Sequence, residues 1–193
     1  MKSGANFPAP RRCFLISFTN DIAVIYKSKY GSSKRYAQWL AADTSADLYS
    51  TSQIGADELL EYETIIFGGG IYMNKINGVE LIKGNFSKLR DKNIIVFAVG
   101  ACPDTEENRE DICKNNFPPE MRREIGFYLL RGAFARKELT LIDRFLMWGL
   151  KMKIKFKDKE DLTEEEKGVL EIYDNPVDWT EREAVEKIVK AAE

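Results

Sequence analysis

The sequence lacks several residues and patterns that define common functional classes. It contains no histidine among its 193 residues, which excludes His-based catalytic triads and most zinc sites. Its three cysteines, Cys13, Cys102 and Cys113, form no Cys-x-x-Cys pair. We therefore predict no metal site and no disulfide framework, and we expect a protein of the reducing cytoplasm.

Long apolar runs and the common nucleotide-binding motifs are also missing. No run approaches 18 apolar residues, so the sequence predicts no membrane-spanning helix. No Gly-x-Gly-x-x-Gly follows a strand, and no Gly-x-x-x-x-Gly-Lys-[Ser/Thr] is present, which argues against a dinucleotide-type Rossmann site and a P-loop. We also predict no nucleic-acid partner.

Length and composition predict one globular domain. A hydrophobic content of 44% is sufficient for a real core in a chain of this size. We expect the domain to cover residues 21–193, preceded by an extension over residues 1–20 that is poorly ordered. The apolar patch of that extension, Phe14–Phe18, is too short for the core of a signal peptide.

The stretch from Ile22 to Tyr36 predicts a strand, a hydroxyl-rich loop and the start of a helix. Its apolar run Ile22–Tyr26 is typical of a parallel strand covered on both faces. First-turn N–H groups of a helix lack intrahelical partners and the helix dipole favours an anion, so the loop predicts a phosphate site. The predicted phosphate-binding residues are Ser28, Lys29, Tyr30, Gly31, Ser32 and Ser33. The alternative is an ordinary strand-to-helix turn with Ser33 as N-cap.

Two later strands end in loops that we expect at the same edge of the sheet. The strand Thr64–Phe67 leads into three glycines, and the strand Asn93–Val99 leads into Gly100. Ligands of open α/β sheets lie beyond the carboxyl ends of the strands. These loops add the predicted ligand-binding residues Gly69, Gly70, Ile71, Tyr72, Met73, Gly100, Ala101, Cys102, Pro103 and Asp104.

Several of these side chains have two interpretations. Tyr72 or Met73 could cover a flat aromatic ring by stacking or by a sulfur–aromatic contact. The alternative for both is a tight turn whose apolar side chains pack into the core. Cys102 is either a redox thiol beside the ring or a small packing residue.

Strands and helical segments alternate five times, which predicts an α/β fold. The expected architecture is a doubly wound, five-stranded parallel sheet of order 2-1-3-4-5 with helices on both faces. The predicted helices after the first are Val79–Leu89, Glu106–Asn116, Leu139–Met152 and a closing helix with Thr180 and Glu183 as its capping box. Residues 150–157 alternate apolar and basic, which suits a strand better than a helix, and their conformation stays open.

Charge is unevenly distributed in the last third of the chain. Residues 131–159 carry nine basic and three acidic residues, a net charge of +6, whereas residues 160–193 carry a net charge of −8. The basic segment is also strongly apolar, so it is either a last helix packed on the sheet or a surface for an anionic membrane or a partner. Arg131, Arg136 and Lys137 would attract an anionic substrate or lipid headgroup.

The first loop resembles that of flavodoxins. Ser28, Gly31 and Ser33 follow the flavodoxin pattern [Ser/Thr]-x-x-Gly-x-[Ser/Thr], and the similarity covers most of residues 21–135. In that family this loop holds the 5′-phosphate of FMN, and the two later loops contact the cofactor. The resemblance therefore implies that FMN is bound, with residues 69–73 and 100–104 around the isoalloxazine ring.

Motifs in the C-terminal third are similar to one branch of that family. They are Arg131-Gly132, Asp143–Met147, Lys151-Met152 and Asp178-Trp179. The branch contains the menaquinone-dependent protoporphyrinogen IX dehydrogenases, which pass electrons from the porphyrinogen to membrane quinones. It implies an FMN oxidoreductase with a porphyrinogen or quinone as substrate or redox partner, in the cytoplasm or peripherally at the membrane.

Two other functional classes stay open. The chain could be a soluble flavodoxin that shuttles electrons, although shuttles usually present a strongly acidic face. It could also be a binding module that kept the fold and lost the flavin. No residue is identified as a proton-transferring catalyst.

Overall fold

The fold is described from a computed structural model of the protein. The structure describes residues 21–135, 139–157 and 162–193. The predicted N-terminal extension lies outside the described residues, as do Arg136 and Lys137 of the basic segment.

The described chain contains eight strands and seven α-helices. The strands are β1 (Ile22–Lys27), β2 (Asp47–Ser50), β3 (Thr64–Tyr72), β4 (Lys75–Ile76), β5 (Asn93–Gly100), β6 (Ile125–Arg131), β7 (Ala133–Phe134) and β8 (Val177–Asp178). The helices are α1 (Ser32–Thr44), α2 (Glu80–Lys83), α3 (Phe86–Leu89), α4 (Glu106–Asn116), α5 (Leu141–Lys155), α6 (Glu164–Asp174) and α7 (Glu186–Ala192). Short 3₁₀ turns precede β3, β6 and α7.

Five parallel strands form the central sheet in the order β2-β1-β3-β5-β6. The prediction of a doubly wound α/β sheet with its first strand second in the order is thereby confirmed. The register places Val24 beside Ile66 and Ile66 beside Ile95. These three side chains are fully or almost fully buried, as expected for central strands that have helices on both faces.

Each face of the sheet has its own hydrophobic core. On one face, α1 and α7 pack Tyr36, Leu40 and Ile188 against Phe97 and its neighbours. On the other face, α2, α3 and α4 contribute Ile82, Leu89 and Ile112. The alternation of strands and helices therefore gives the three layers that the sequence predicts.

The triple glycine lies within a strand and not after one, which corrects the predicted strand end. β3 continues through Gly68, Gly69 and Gly70 to Tyr72 and then turns back into β4. A Cβ at Gly68 would overlap the ring of Phe97, and one at Gly69 would lie 2.5 Å from the carbonyl oxygen of Asn77. The glycines therefore let an aromatic ring and a returning hairpin pack directly on the strand.

The helices differ from the prediction at several points. The predicted helix Val79–Leu89 is two short helices, α2 and α3, with Gly84 between them. Residues 150–155, whose conformation the sequence left open, are helical and belong to α5. The capping box predicted for Thr180 is wrong, because its hydroxyl bonds to Asp178. A capping box is present instead at Thr163, at the start of α6, a helix that the sequence analysis did not predict.

Candidate functional site

A cavity of about 410 Å³ lies at the carboxyl-terminal edge of the sheet, where the loops after β1, β3 and β5 meet. This is the edge at which open α/β sheets bind ligands. The structure brings together the following predicted residues on its wall: Ser28, Lys29, Tyr30, Ser32, Ser33, Gly70, Ile71, Tyr72, Met73, Gly100 and Ala101.

The other predicted residues do not line the cavity. Gly31 is the N-cap residue of α1 and has a φ of +95°, a conformation that favours glycine. Gly69 packs against the β3–β4 hairpin. Cys102 is half-buried and packs on the core, whereas Pro103 and Asp104 are exposed, with the Asp104 carboxylate 3.1 Å from Nε of Arg109.

Hydroxyl groups and free helix N–H groups dominate the loop between β1 and α1. The hydroxyl of Ser28 accepts a hydrogen bond from the N–H of Gly31 at 3.0 Å, which fixes the bend of the loop. The hydroxyl of Ser32 accepts one from the N–H of Ala133 at 3.0 Å and so ties the loop to the chain after β6. Ser33 is buried at the start of α1, where the first N–H groups have no intrahelical acceptor. The loop is thereby preorganised to receive an anion.

Two tyrosines, Tyr30 of this loop and Tyr72 at the end of β3, form an aromatic wall of the cavity. The rings of Tyr30 and Tyr72 are 6.4 Å apart, and Nζ of Lys29 lies 5.4 and 5.5 Å from their centroids. Burial raises the pKa of Tyr72 well above its ordinary value, so its phenol stays neutral. Met73, at the following turn, is 92% exposed and projects at the rim.

A buried amide holds the turn that follows Tyr72. Met73 and Asn74 both have positive φ, at 48° and 61°. Asn116 of α4 donates to the carbonyl of Asn74 at 2.8 Å and accepts from the N–H of Ile76 at 2.9 Å. Its amide also donates to the carbonyl of Ile112 at 2.8 Å. The conformation of this cavity rim therefore depends on one asparagine from another element.

The outer wall of the cavity comes from residues that the sequence analysis did not assign to the site. They are mostly apolar and belong to the chain after β6 and to α5 and α6: Gly132, Ala133, Phe134, Leu139, Asp143, Leu146, Met147, Leu150, Val169 and Ile172. On α5, the spacing of Asp143, Leu146, Met147 and Leu150 follows one helical face. That spacing was a detectable signal, but nothing in the sequence showed that this face would cover the sheet edge.

Asp143 connects α5 to the first loop. Its carboxylate binds both Nζ of Lys29 and the hydroxyl of Tyr30. The Tyr30 hydroxyl also accepts a hydrogen bond from the N–H of Thr140 at 3.3 Å. These hydrogen bonds from Lys29 and Tyr30 lower the pKa of Asp143, so the carboxylate is ionised at neutral pH.

Arg131, one of the basic residues predicted to attract an anionic partner, contacts an aromatic ring. Its guanidinium carbon lies 3.7 Å from the centroid of the Trp179 ring, in a cation–π contact. It therefore stabilises the end of β6 against the C-terminal region and does not line the cavity.

The cavity suits a ligand that joins an anionic group to a flat apolar part. Hydroxyls and helix N–H groups lie at one end, and tyrosine rings and aliphatic side chains line the rest. A Cβ at Gly70 would lie 3.4 Å from the Tyr72 ring and 3.7 Å from the hydroxyl of Ser33. Gly70 therefore lies between the two ends of the cavity, where even a methyl group would contact both Tyr72 and Ser33.

Solved structures that resemble the chain at low sequence identity include two flavodoxins and a Trp repressor binding protein. A flavodoxin from Megasphaera elsdenii is 15% identical, covering 56% of this chain and 84% of its own, with a TM-score of 0.40. A WrbA-like flavodoxin from Agrobacterium tumefaciens is 16% identical, covering 89% and 98%, with a TM-score of 0.41. The Trp repressor binding protein from Bacillus subtilis is 19% identical, covering 57% and 82%, with a TM-score of 0.42. With TM-scores below 0.5, these similarities carry no further conclusion.

The sequence itself provides the stronger comparison. No curated protein matches the chain. Residues 23–162, well over half of the chain, match the family described as Flavodoxin domain. The match begins in β1 and includes all three loops that meet at the cavity. The chain therefore belongs to the flavodoxin-domain family.

Proposed function

We propose that the protein binds FMN in this cavity and acts as an oxidoreductase. The proposal rests on one observation. A helix N-terminus lined by hydroxyls and a cleft lined by aromatic and aliphatic side chains form a single cavity. An anion site beside a flat apolar slot is what a phosphorylated isoalloxazine requires. The family match supports a flavin over other phosphorylated aromatic ligands.

Different residues would hold the phosphate and the ring of the cofactor. Ser28, Ser32 and Ser33 and the first N–H groups of α1 would hold the phosphate. Tyr72 and the apolar wall of α5 would bind the ring and exclude water from it. The redox chemistry is supplied by the flavin, and the protein sets its orientation and its surroundings.

The substrate class is suggested by the outer wall. Leu146, Met147 and Leu150 present aliphatic and thioether surface, which favours a large, flat, apolar reductant or oxidant. We propose a porphyrinogen or a quinone, in line with the similarity of the C-terminal motifs to protoporphyrinogen dehydrogenases. The remaining candidates are an electron shuttle and a fold that binds no flavin.

The outward face of α5 supports a peripheral contact with a membrane. Five large apolar side chains from this helix and the residue that follows it are exposed and do not line the cavity: Leu141, Ile142, Phe145, Trp148 and Phe156. Phe145 and Trp148 stack with their centroids 5.9 Å apart, and the exposed Lys153 and Lys155 follow on the same helix. None of the helices in the described ranges is long and apolar enough to cross a bilayer. We therefore propose a cytoplasmic protein whose α5 lies on an anionic lipid surface.

The cofactor is tested by titrating the purified protein with FMN and recording the visible absorption and the quenching of flavin fluorescence. A protein that ignores added FMN is a binding module without flavin. A protein that binds FMN is then tested for oxidation of a porphyrinogen coupled to reduction of a quinone. Efficient electron exchange with a flavodoxin reductase, together with no activity on the porphyrinogen, would favour the shuttle.

The membrane contact is tested by sedimentation with vesicles of phosphatidylglycerol and phosphatidylcholine. Binding to the anionic vesicles should weaken as salt rises. The double substitution Phe145→Ser and Trp148→Ser should remove most of it. Leu60→Ser, which replaces an exposed apolar side chain far along the chain from α5, is the matched control. Equal binding of both variants would contradict the assignment.

A further inference from the structure

The charged side chains on the cavity wall balance each other, which affects how the cavity would bind a phosphate. Of the described residues on its wall, Lys29 and Asp143 are the two that are charged, and they bind each other. The described wall of the cavity therefore carries no net side-chain charge. Phosphate sites commonly add a lysine or arginine as a counter-charge, and here the candidate is already paired.

Asp143 binds hydrogen-bond donors that a phosphate in this loop would also use. Asp143 takes both the ammonium of Lys29 and the hydroxyl of Tyr30, two consecutive residues of the predicted phosphate-binding loop. The backbone of Asp143 is held in place because its N–H donates a hydrogen bond to the hydroxyl of Thr140, the N-cap residue of α5, at 3.3 Å. Its side chain is 18% exposed, against 37% for Lys29, so water does not fully screen it.

A phosphate that entered this loop would meet a fixed carboxylate that competes for the same donors. We propose that Asp143 is a specificity-determining residue that lowers the advantage of a phosphorylated flavin over its dephosphorylated form. The inference rests on the proposed function. In this proposal, Ser28, Ser33 and the helix N–H groups provide most of the phosphate binding. Lys29 contributes fully to phosphate binding only once Asp143 is neutralised.

The inference makes a ligand-specific prediction. Replacing Asp143 by Asn removes a negative charge near a phosphate of about two negative charges and releases Lys29. For partly exposed groups the gain in FMN affinity should be roughly three- to tenfold. Riboflavin has the same ring and no phosphate, so its affinity should not change.

The experiment measures the dissociation constants of FMN and riboflavin by fluorescence quenching for the full chain. The variants are Asp143→Asn, Asp143→Ser, Lys29→Gln and the double variant Asp143→Asn with Lys29→Gln. Asp57→Asn is the matched control, because it removes an exposed carboxylate that is paired with a lysine, Lys88, outside the cavity. Circular dichroism confirms that each variant is folded.

The expected result is a higher ratio of FMN to riboflavin affinity in both Asp143 variants, a smaller gain in the Lys29→Gln background and no change for Asp57→Asn. The gain should shrink as salt increases. An unchanged ratio, or an equal change for both ligands, would overturn the inference while leaving FMN binding intact. A wild-type protein that binds neither flavin would overturn the proposed function, and the inference with it.

Discussion

Replacing Asn116 by alanine tests how one buried amide maintains the rim of the cavity. Asn116 is 4% exposed and makes three hydrogen bonds of 2.8–2.9 Å, to Asn74, Ile76 and Ile112. A net hydrogen bond contributes about 0.5–1.5 kcal/mol, and a buried N–H left without an acceptor costs about 1–3 kcal/mol. The N–H of Ile76 is such a donor, so we expect a loss of about 2–4 kcal/mol in the free energy of unfolding.

The loss is measured by urea unfolding followed by circular dichroism. At about 2–4 °C per kcal/mol for a chain of this size, the melting temperature should fall by about 4–16 °C. Asn115→Ala is the matched control, because the neighbouring side chain is exposed, and it should change stability by less than about 0.5 kcal/mol. A loss below about 1 kcal/mol for Asn116→Ala would refute the conclusion that this amide holds the turn between β3 and β4.

Three further predictions concern the sheet, the first loop and acid stability. Gly68→Ala should destabilise the protein by roughly 1–3 kcal/mol in urea, because its Cβ would overlap the Phe97 ring; a neutral result would show that the strand relaxes freely. Gly31→Val should weaken FMN binding more than riboflavin binding, because valine is strained at a φ of +95° and would distort the anion site; an equal effect on both ligands would contradict this. Arg35 and Thr180 lower the pKa of Asp178 to about 2, so its stabilising contribution is present above about pH 4 and is lost as the pH falls through about 2. Asp178→Asn should therefore cost under about 1 kcal/mol at pH 7 and nothing near about pH 1, and a cost independent of pH would refute the electrostatic origin.

The sheet was predictable from sequence because its signals are local. Continuous apolar runs identify β1, β3 and β5, and a charged segment between β5 and β6 identifies α4 with its observed bounds. The first loop was also predictable, since the hydroxyls of Ser28 and Ser33 lie at fixed offsets from Gly31.

The outer wall was not predictable because it depends on contacts between distant residues. Asp143 reaches Lys29 across 114 positions, and no local pattern marks that pairing. The alternation in residues 150–157 suits a strand better than a helix and left their conformation open. Met147, Leu150 and Ile154 also share one helical face, and Ile154 is buried in the helix that forms. Tertiary packing thus overrides a short alternating pattern.

The central claim is that the loop after β1 binds the phosphate of a flavin. The most direct measurement is a calorimetric titration of the purified chain with FMN, repeated with the double variant Ser28→Ala and Ser33→Ala. Our account predicts saturable binding of a single FMN per chain and at least roughly tenfold weaker binding to the variant, because two hydroxyl donors to a charged group are lost. Absence of binding to the wild-type chain, or equal binding to both proteins, would contradict it.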